Sequence, residues 1–279
     1  MELETLLNRA LTLADEGDWE TMAELLREHL AEHEEEAAVH CWLGVSEREL
    51  GLEGVAYERF KRALALNPED PYVLATAGNG VAAFDDPDAE LALRTAALVA
   101  PDVPLTRLMY GAYLAREGFV ADGLKELEAA RALDADDAQI AYELGVARYL
   151  SGDVDGAADA MGDAVTLDPD DGWPRLVLGL VLLEADRFEE AVGELSEGAH
   201  LHPEDVEAQL AACLAAAATG NDGIAYEMLE RGRIRAGEED AQLLLTVEDR
   251  MEMGWEAARS LLMEELAPDL LRRRLQVRP

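Results

Sequence analysis

The sequence predicts an all-α fold built as a linear array of repeats, and three observations carry that reading. Gly44, Gly78, Gly111, Gly145 and Gly179 are spaced 34, 33, 34 and 34 residues apart. Pro68, Pro101, Pro169 and Pro203 keep the same frame, with Ala135 filling the one gap. Around them the text recurs as "ALALNPED", "AALVAPD", "ARALDADD", "AVTLDPDD" and "GAHLHPED". Self-similarity at a fixed period of about 20–50 residues marks a repeat architecture. A proline closing each unit stops a helix, because it has no amide hydrogen to continue the ladder.

The totals narrow the possible functions. The chain has 279 residues, 49% of them apolar, with 60 acids against 23 bases and a formal charge of −37. The isoelectric point is near 4.2, and Lys61 and Lys125 are the two lysines. So acidic a surface repels phosphate, which argues against nucleic acid as a partner. Abundant acid, alanine and valine with little lysine fits either adaptation to molar salt, where screening shortens the reach of self-repulsion, or a GC-rich genome. Cys41 and Cys213 fit no metal or redox spacing. The opening "MELETLLNRALTLADEGDWE" carries acids from its second residue and reads as no secretory leader, so a cytoplasmic protein is the default expectation. No apolar run reaches the ~18 residues that span a bilayer. Membrane insertion is therefore not expected.

Within the period, each element has a physical reason. Position 8 of the unit reads Gly44, Gly78, Gly111, Gly145, Gly179 and Cys213; position 20 reads Ala56, Ala89, Gly123, Ala157, Ala191 and Ala225. Small residues there let two helices cross closely. Position 24 reads Phe60, Leu93, Leu127, Met161, Leu195 and Leu229, large knobs that fill the space beside the crossing. This pattern resembles the tetratricopeptide repeat, a 34-residue helix–turn–helix unit. The resemblance implies a right-handed superhelical solenoid of eight units: 3–36, 37–70, 71–103, 104–137, 138–171, 172–205, 206–239 and 240–267. The end units are degenerate, with Ala10 and Val247 at position 8, as expected of units with one neighbour. Residues 268–279 then form a basic C-terminal cap or tail.

The resemblance also implies a concave face, lined in this family by positions 2, 5, 9, 12 and 13 of each first helix. Here the apolar run "RLVLGLVLLE" (175–184) draws attention. Its frame puts Leu178, Gly179 and Leu182 in the core of the unit, and Leu176, Leu180 and Leu183, with Trp173, on the groove. Neighbouring units add Tyr142, Val146 and Tyr149, then Leu210 and Leu214. Toward the N-terminus they add Leu105, Leu108, Ala112 and Arg116, then Tyr72 and Asn79, then Cys41 and Val45. Few of the 60 acids lie along this line. A contiguous exposed apolar patch usually means binding. The expectation is a non-catalytic protein-interaction scaffold that takes an apolar or amphipathic peptide. The alternative is a structural subunit or homo-oligomer whose groove is filled by its own chain or by a fixed assembly partner.

No catalytic, cofactor or metal constellation is expected. Chaperone-binding members of the family clamp a carboxylate with Lys and Asn, and of the matching positions here only Asn79 resembles such a residue. "HLAEH" (29–33) formally fits a metalloprotease helix but lacks a third ligand. "DPDDG" (168–172) lacks the alternation of a calcium loop and reads as a turn with solvated acids. The tail "APDLLRRRLQVRP" (267–279) holds four arginines and one acid, +3 against −40 for the rest of the chain. Pro268 and Asp269 can open a short helix with Leu271 and Leu275 on one side. It reads either as a cap on unit eight with Arg272, Arg273 and Arg274 paired to the acidic body, or as a detachable basic peptide.

Overall fold

A computed structural model of the chain describes residues 1–277; the last two residues of the expected C-terminal cap or tail, 278–279, lie outside them. Every regular element among the described residues is helical. Two compact bodies form, residues 1–133 and 134–277. The first contains α1 (Leu3–Asp15), α2 (Trp19–His29), α3 (Ala37–Glu49), α4 (Glu53–Ala65), α5 (Pro71–Ala82), α6 (Asp88–Val99), α7 (Pro104–Arg116) and α8 (Val120–Leu133). The second contains α9 (Ala138–Leu150), α10 (Val154–Leu167), α11 (Gly172–Glu184), α12 (Phe188–Leu201), α13 (Val206–Ala218), α14 (Asp222–Arg235), α15 (Ala241–Met253), α16 (Trp255–Leu261) and α17 (Ala267–Leu275). From α1 to α16 the helices pair in chain order, and these pairs fit eight tandem units.

The crossings follow from residue size. A Cβ added at Gly44 would lie 2.8 Å from Phe60, one at Gly111 2.8 Å from Leu127, and one at Gly179 2.6 Å from Leu195. Each first helix therefore touches the large position-24 side chain of its second helix with backbone rather than side chain. Gly145 meets Met161 in the same way, at 2.5 Å. Gly80 of α5 leans on Phe60 too, which ties the third unit to the second.

Two further regularities shape the turns. Position 15, between the two helices, adopts left-handed backbone in every unit: Gly17, Gly51, Asp85, Gly118, Gly152, Asp186, Gly220 and Gly254. Glycine enters that region freely, while aspartate tolerates it at a cost. Many of the acids that end a repeat are helix caps. The carboxylates of Asp70, Asp137, Asp171 and Asp205 accept the amide hydrogens of Tyr72, Ile140, Trp173 and Ala208 at 2.9–3.1 Å. Each satisfies a donor that the first turn of the next helix leaves open. The acids of "DPDDG" thus include a structural cap, Asp171, beside the solvated ones.

The eighth unit departs from the stack. Its second helix starts at Trp255, passes through a π turn at Leu262–Leu266 and runs on as α17 to Leu275. Pro268 explains the π turn: it lacks an amide hydrogen, and its ring collides with the carbonyl four residues back, that of Glu264. α16 packs on α13 and α15, the π turn also touches α13, and α17 packs on α11. At 1.5 Å per residue this helix is about 30 Å long, enough to cross two neighbouring first helices.

Candidate functional site: the inner face of the C-terminal body

In the C-terminal body the first helices α9, α11 and α13 form an inner face, and α16–α17 lies across it. α17 is amphipathic for a simple reason: Leu270, Leu271, Arg274 and Leu275 recur at helical spacing and are buried, while Arg272 and Arg273 are exposed. Residues 141–275 share one apolar cluster, which includes Leu266, Leu270, Leu271 and Leu275 beside Leu180, Leu183 and Leu214. The sequence pattern of Leu271 and Leu275 on one side of a helix holds. Their seat, however, is α11 in the sixth unit, not the end of the eighth.

Charge fastens the far end of α17. Arg274 donates to Asp205 at 2.6 Å, Arg273 donates to Glu207 at 2.7 Å, and Arg272 turns back to Asp269 of its own helix. The Arg274 guanidinium also lies 5.0 Å from the centre of the Trp173 ring, whose indole N–H donates to the Tyr142 hydroxyl at 3.0 Å. α16 is tied down by Arg259, which pairs with Asp186 at 3.0 Å and sits 4.1 Å from the centre of the Phe188 ring.

Between these anchors the fit is incomplete. A cavity of about 420 Å³ is lined by Tyr149, Leu150, Leu180, Leu183 and Glu184 from the face and by Met263, Ala267, Pro268, Leu271, Arg272, Leu275 and Gln276 from the helix. Tyr149 donates its hydroxyl to Glu184 at 2.5 Å. Burial, and then that carboxylate, push the Tyr149 phenol above its ordinary value, so it stays a donor at neutral pH.

The structure thus gathers Tyr149, Leu180 and Leu183 around one cavity and sets Tyr142 with Trp173 beside the arginine anchor. Val146 and Leu214, placed on the groove by the frame, are fully buried in the apolar cluster. Leu176 and Leu210 correct the frame itself. A Cβ on Gly198 would lie 2.7 Å from Leu176, and one on Gly232 3.2 Å from Leu210. Small residues late in each second helix let it close over position 5, which clamps these leucines between the two helices of their own repeat. The whole of Leu176–Leu183 is buried, including the half that the frame assigns to the groove.

In the N-terminal body the corresponding residues diverge. Tyr72 is half exposed, while Leu105 and Arg116 are partly buried. Cys41, Val45, Asn79, Leu108 and Ala112 are buried, so they offer side chains to packing rather than to an open groove. Burial pushes the Cys41 thiol up to about 12 and the Cys213 thiol likewise up to about 12, which keeps both protonated and unreactive in the fold. The "HLAEH" histidines turn to local partners: His29 contacts Glu32 at 3.1 Å and His33 contacts the Met1 carbonyl at 2.8 Å. Among the described residues no three His, Cys, Asp or Glu side chains are grouped to hold a metal ion.

Sequence reasoning did not reach Met263 or Ala267, nor the pairing of the tail with Asp205 and Glu207. The arginines and leucines of the tail were legible, but their partners lie about 65–95 residues away and carry no local mark.

Comparison with known proteins agrees with this architecture. Two family models described as tetratricopeptide repeat match residues 108–172 and 148–213. Among solved structures, the crystal structure of the APC/C hetero-tetramer Cut9–Hcn1 is similar with a TM-score of 0.68 at 19% identity, covering 98% of this chain and 49% of that one. This chain spans about half the length of that relative. A tetratricopeptide repeat protein from Parabacteroides merdae is similar with a TM-score of 0.56 at 12% identity, over 88% of this chain and 97% of that one. PilF of Pseudomonas aeruginosa is similar with a TM-score of 0.53 at 18% identity, over 72% and 91%. No curated protein matches the chain. No helix among the described residues is long and apolar enough to cross a membrane. Proteins built from such repeats are generally non-catalytic scaffolds for protein–protein interaction. The two models together match residues 108–213, and the period, the small-residue crossings and the fold carry a similar tetratricopeptide-type repeat over the rest of the chain.

Proposed function

We propose that the chain is a non-catalytic protein-interaction scaffold, and that the inner face of its C-terminal body is a seat for an amphipathic helix. One observation carries this reading: such a helix, α17, already sits there, held by leucines against Leu180 and Leu183 and by arginines on Asp205 and Glu207. The ligand class follows from the occupant. Apolar burial supplies the affinity, at about 25 cal/mol per Å² before ordering costs, and the acidic rim sets polarity and direction.

The second reading is a structural one, in which α16–α17 is a permanent end cap and the groove is filled by its own chain. The depth of Leu270, Leu271 and Leu275 favours it. A titration separates the two. The full chain carrying Leu275→Asp is titrated with a synthetic peptide of residues 262–279. A seat predicts saturable one-to-one binding, a rise in the melting temperature of the variant, and weaker binding when Glu207→Arg is added. A permanent cap predicts no capture of the peptide at any concentration.

A further inference from the structure

We propose that α17 is a resident competitor: it holds closed a seat whose better-fitting occupant is a basic amphipathic helix of a protein partner. That helix carries leucine-like side chains four residues apart, a larger apolar side chain one turn earlier, and an arginine near its C-terminal end. The inference rests on the reading above that this face binds helices.

The first support is the cavity. α17 offers Ala267 and Pro268 to a space of about 420 Å³ whose other wall is Tyr149, Leu150, Leu180 and Leu183. That space opens to solvent and is lined mostly by apolar surface, so a helix with larger apolar groups there buries area that α17 leaves wet.

The second support is charge. Glu184, Asp205 and Glu207 rim the seat, within a chain that is −40 without its last thirteen residues, so a basic helix is favoured over an acidic one. Yet the resident meets this rim imperfectly. Arg274 is buried, and its Nη1 has no hydrogen-bond partner among the described residues. A buried cation that is only partly satisfied lowers the stability of the closed form.

The third support is the joint. α17 follows a π turn, the sort of irregularity at which helices bend. Bending there lifts α17 from α11, while α16 stays on α13 with Arg259 on Asp186. A partner then shifts the balance only by its advantage over α17, and its apparent affinity falls in proportion to the closed fraction.

The test uses the full chain and two labelled synthetic peptides of residues 262–279, one unaltered and one with Ala267→Leu and Pro268→Leu. The parent chain is expected to bind the altered peptide at least tenfold more tightly than the unaltered one. Leu271→Asp in the chain opens the seat and is expected to tighten both by at least tenfold. Should that variant fail to fold, Arg274→Gln carries the same expectation without a charge in the apolar contact. Equal binding of the two peptides by the parent, or no gain in either opened variant, overturns the proposal. So does concentration-dependent dimerisation of the parent through exchange of α17, which would assign the seat to a second copy. If the opened variants capture the unaltered peptide while the parent does not discriminate, the helix-binding reading stands and only the competitor falls. Absence of binding by every chain ends both.

Discussion

The two bodies of this molecule are written in one repeat and held together differently. In the C-terminal body one extended apolar cluster runs from Ala141 to Leu275. In the N-terminal body smaller clusters lie around Leu6, Leu26 and Leu43 and around Phe60, Val73 and Val81. Buried charge lies beside them. Glu47 accepts from Arg27 at 2.8 Å and faces Arg59 at 3.4 Å; Asp86 accepts from Tyr57 at 2.7 Å and pairs with Lys61 at 2.8 Å. Burial works to raise the Asp86 carboxyl, but the Lys61 ammonium and the Asp88 and Tyr57 donors outweigh it and hold its pKa below the ordinary value. The repeat frame specifies where helices cross and leaves open what fills the face between first helices. Leucine there makes an apolar seat in the C-terminal body, whereas in the N-terminal body the face carries buried Asn79 and Ala112, and the buried ion pairs reach to the second helices α2 and α4.

The largest effect should come from a charge in the apolar seat. Leu180→Asp should cost roughly 3 kcal/mol or more, because an unpaired carboxylate cannot be buried without neutralising or unfolding its surroundings. Leu176→Asp should be as damaging, which reverses what the groove assignment of that residue implies. Each body holds one buried thiol, so alkylation reports each separately. Either change should expose Cys213 and leave Cys41 protected.

Overpacking a crossing comes next. Gly145→Leu or Ala157→Leu should cost about 1–3 kcal/mol, since Met161 already touches the Gly145 backbone. A broadened melting curve would show the damage passing to neighbouring units. A melt indistinguishable from that of the parent would refute the crossing.

Acid should separate the bodies. His40 is buried; burial first, then the Arg59 and Arg62 charges, hold its imidazole below its ordinary value. Folding therefore favours the neutral ring. The contribution is complete above the unfolded-state value of about 6.5 and is lost as the pH falls from there toward the folded value. Cys41 should become accessible to alkylation over that window before Cys213 does, and His40→Gln should flatten the difference. The smallest effect concerns a turn. Asp85→Gly should stabilise the N-terminal body by roughly 0.5–1 kcal/mol by relieving left-handed backbone at a non-glycine residue, read as a small rise in its melting temperature.

Much of this architecture was legible in the sequence because it is local and periodic. The glycines at position 8 and the knobs at position 24 announce the crossings, and the prolines announce the helix ends. The left-handed turn at position 15 was equally periodic, but Asp85 and Asp186 interrupt its run of glycines and hide it. Asp171 reads as a solvated acid, since a cap differs from a surface carboxylate only in what its oxygen meets. Leu176 shows the limit of a frame borrowed from a family: Gly198, twenty-two residues on, decides whether it faces a groove or a helix. The seat of α17 was out of reach for a deeper reason. Its complementarity joins Leu271 and Leu275 to Leu180 and Leu183, across about ninety residues, and no local propensity encodes such a pairing.

Native-state hydrogen exchange across a urea series tests the central claim most directly, by comparing the amides of residues 270–275 with those of α11 and α13. A seated but separable helix should be protected in water, and it should open at a lower free energy than α11 and α13, in a step of its own. Exchange of α17 at free-chain rates would mean that the seat is empty in solution. Exchange of α17 in the same step as α11 would mean a permanent cap, and either result would contradict the account.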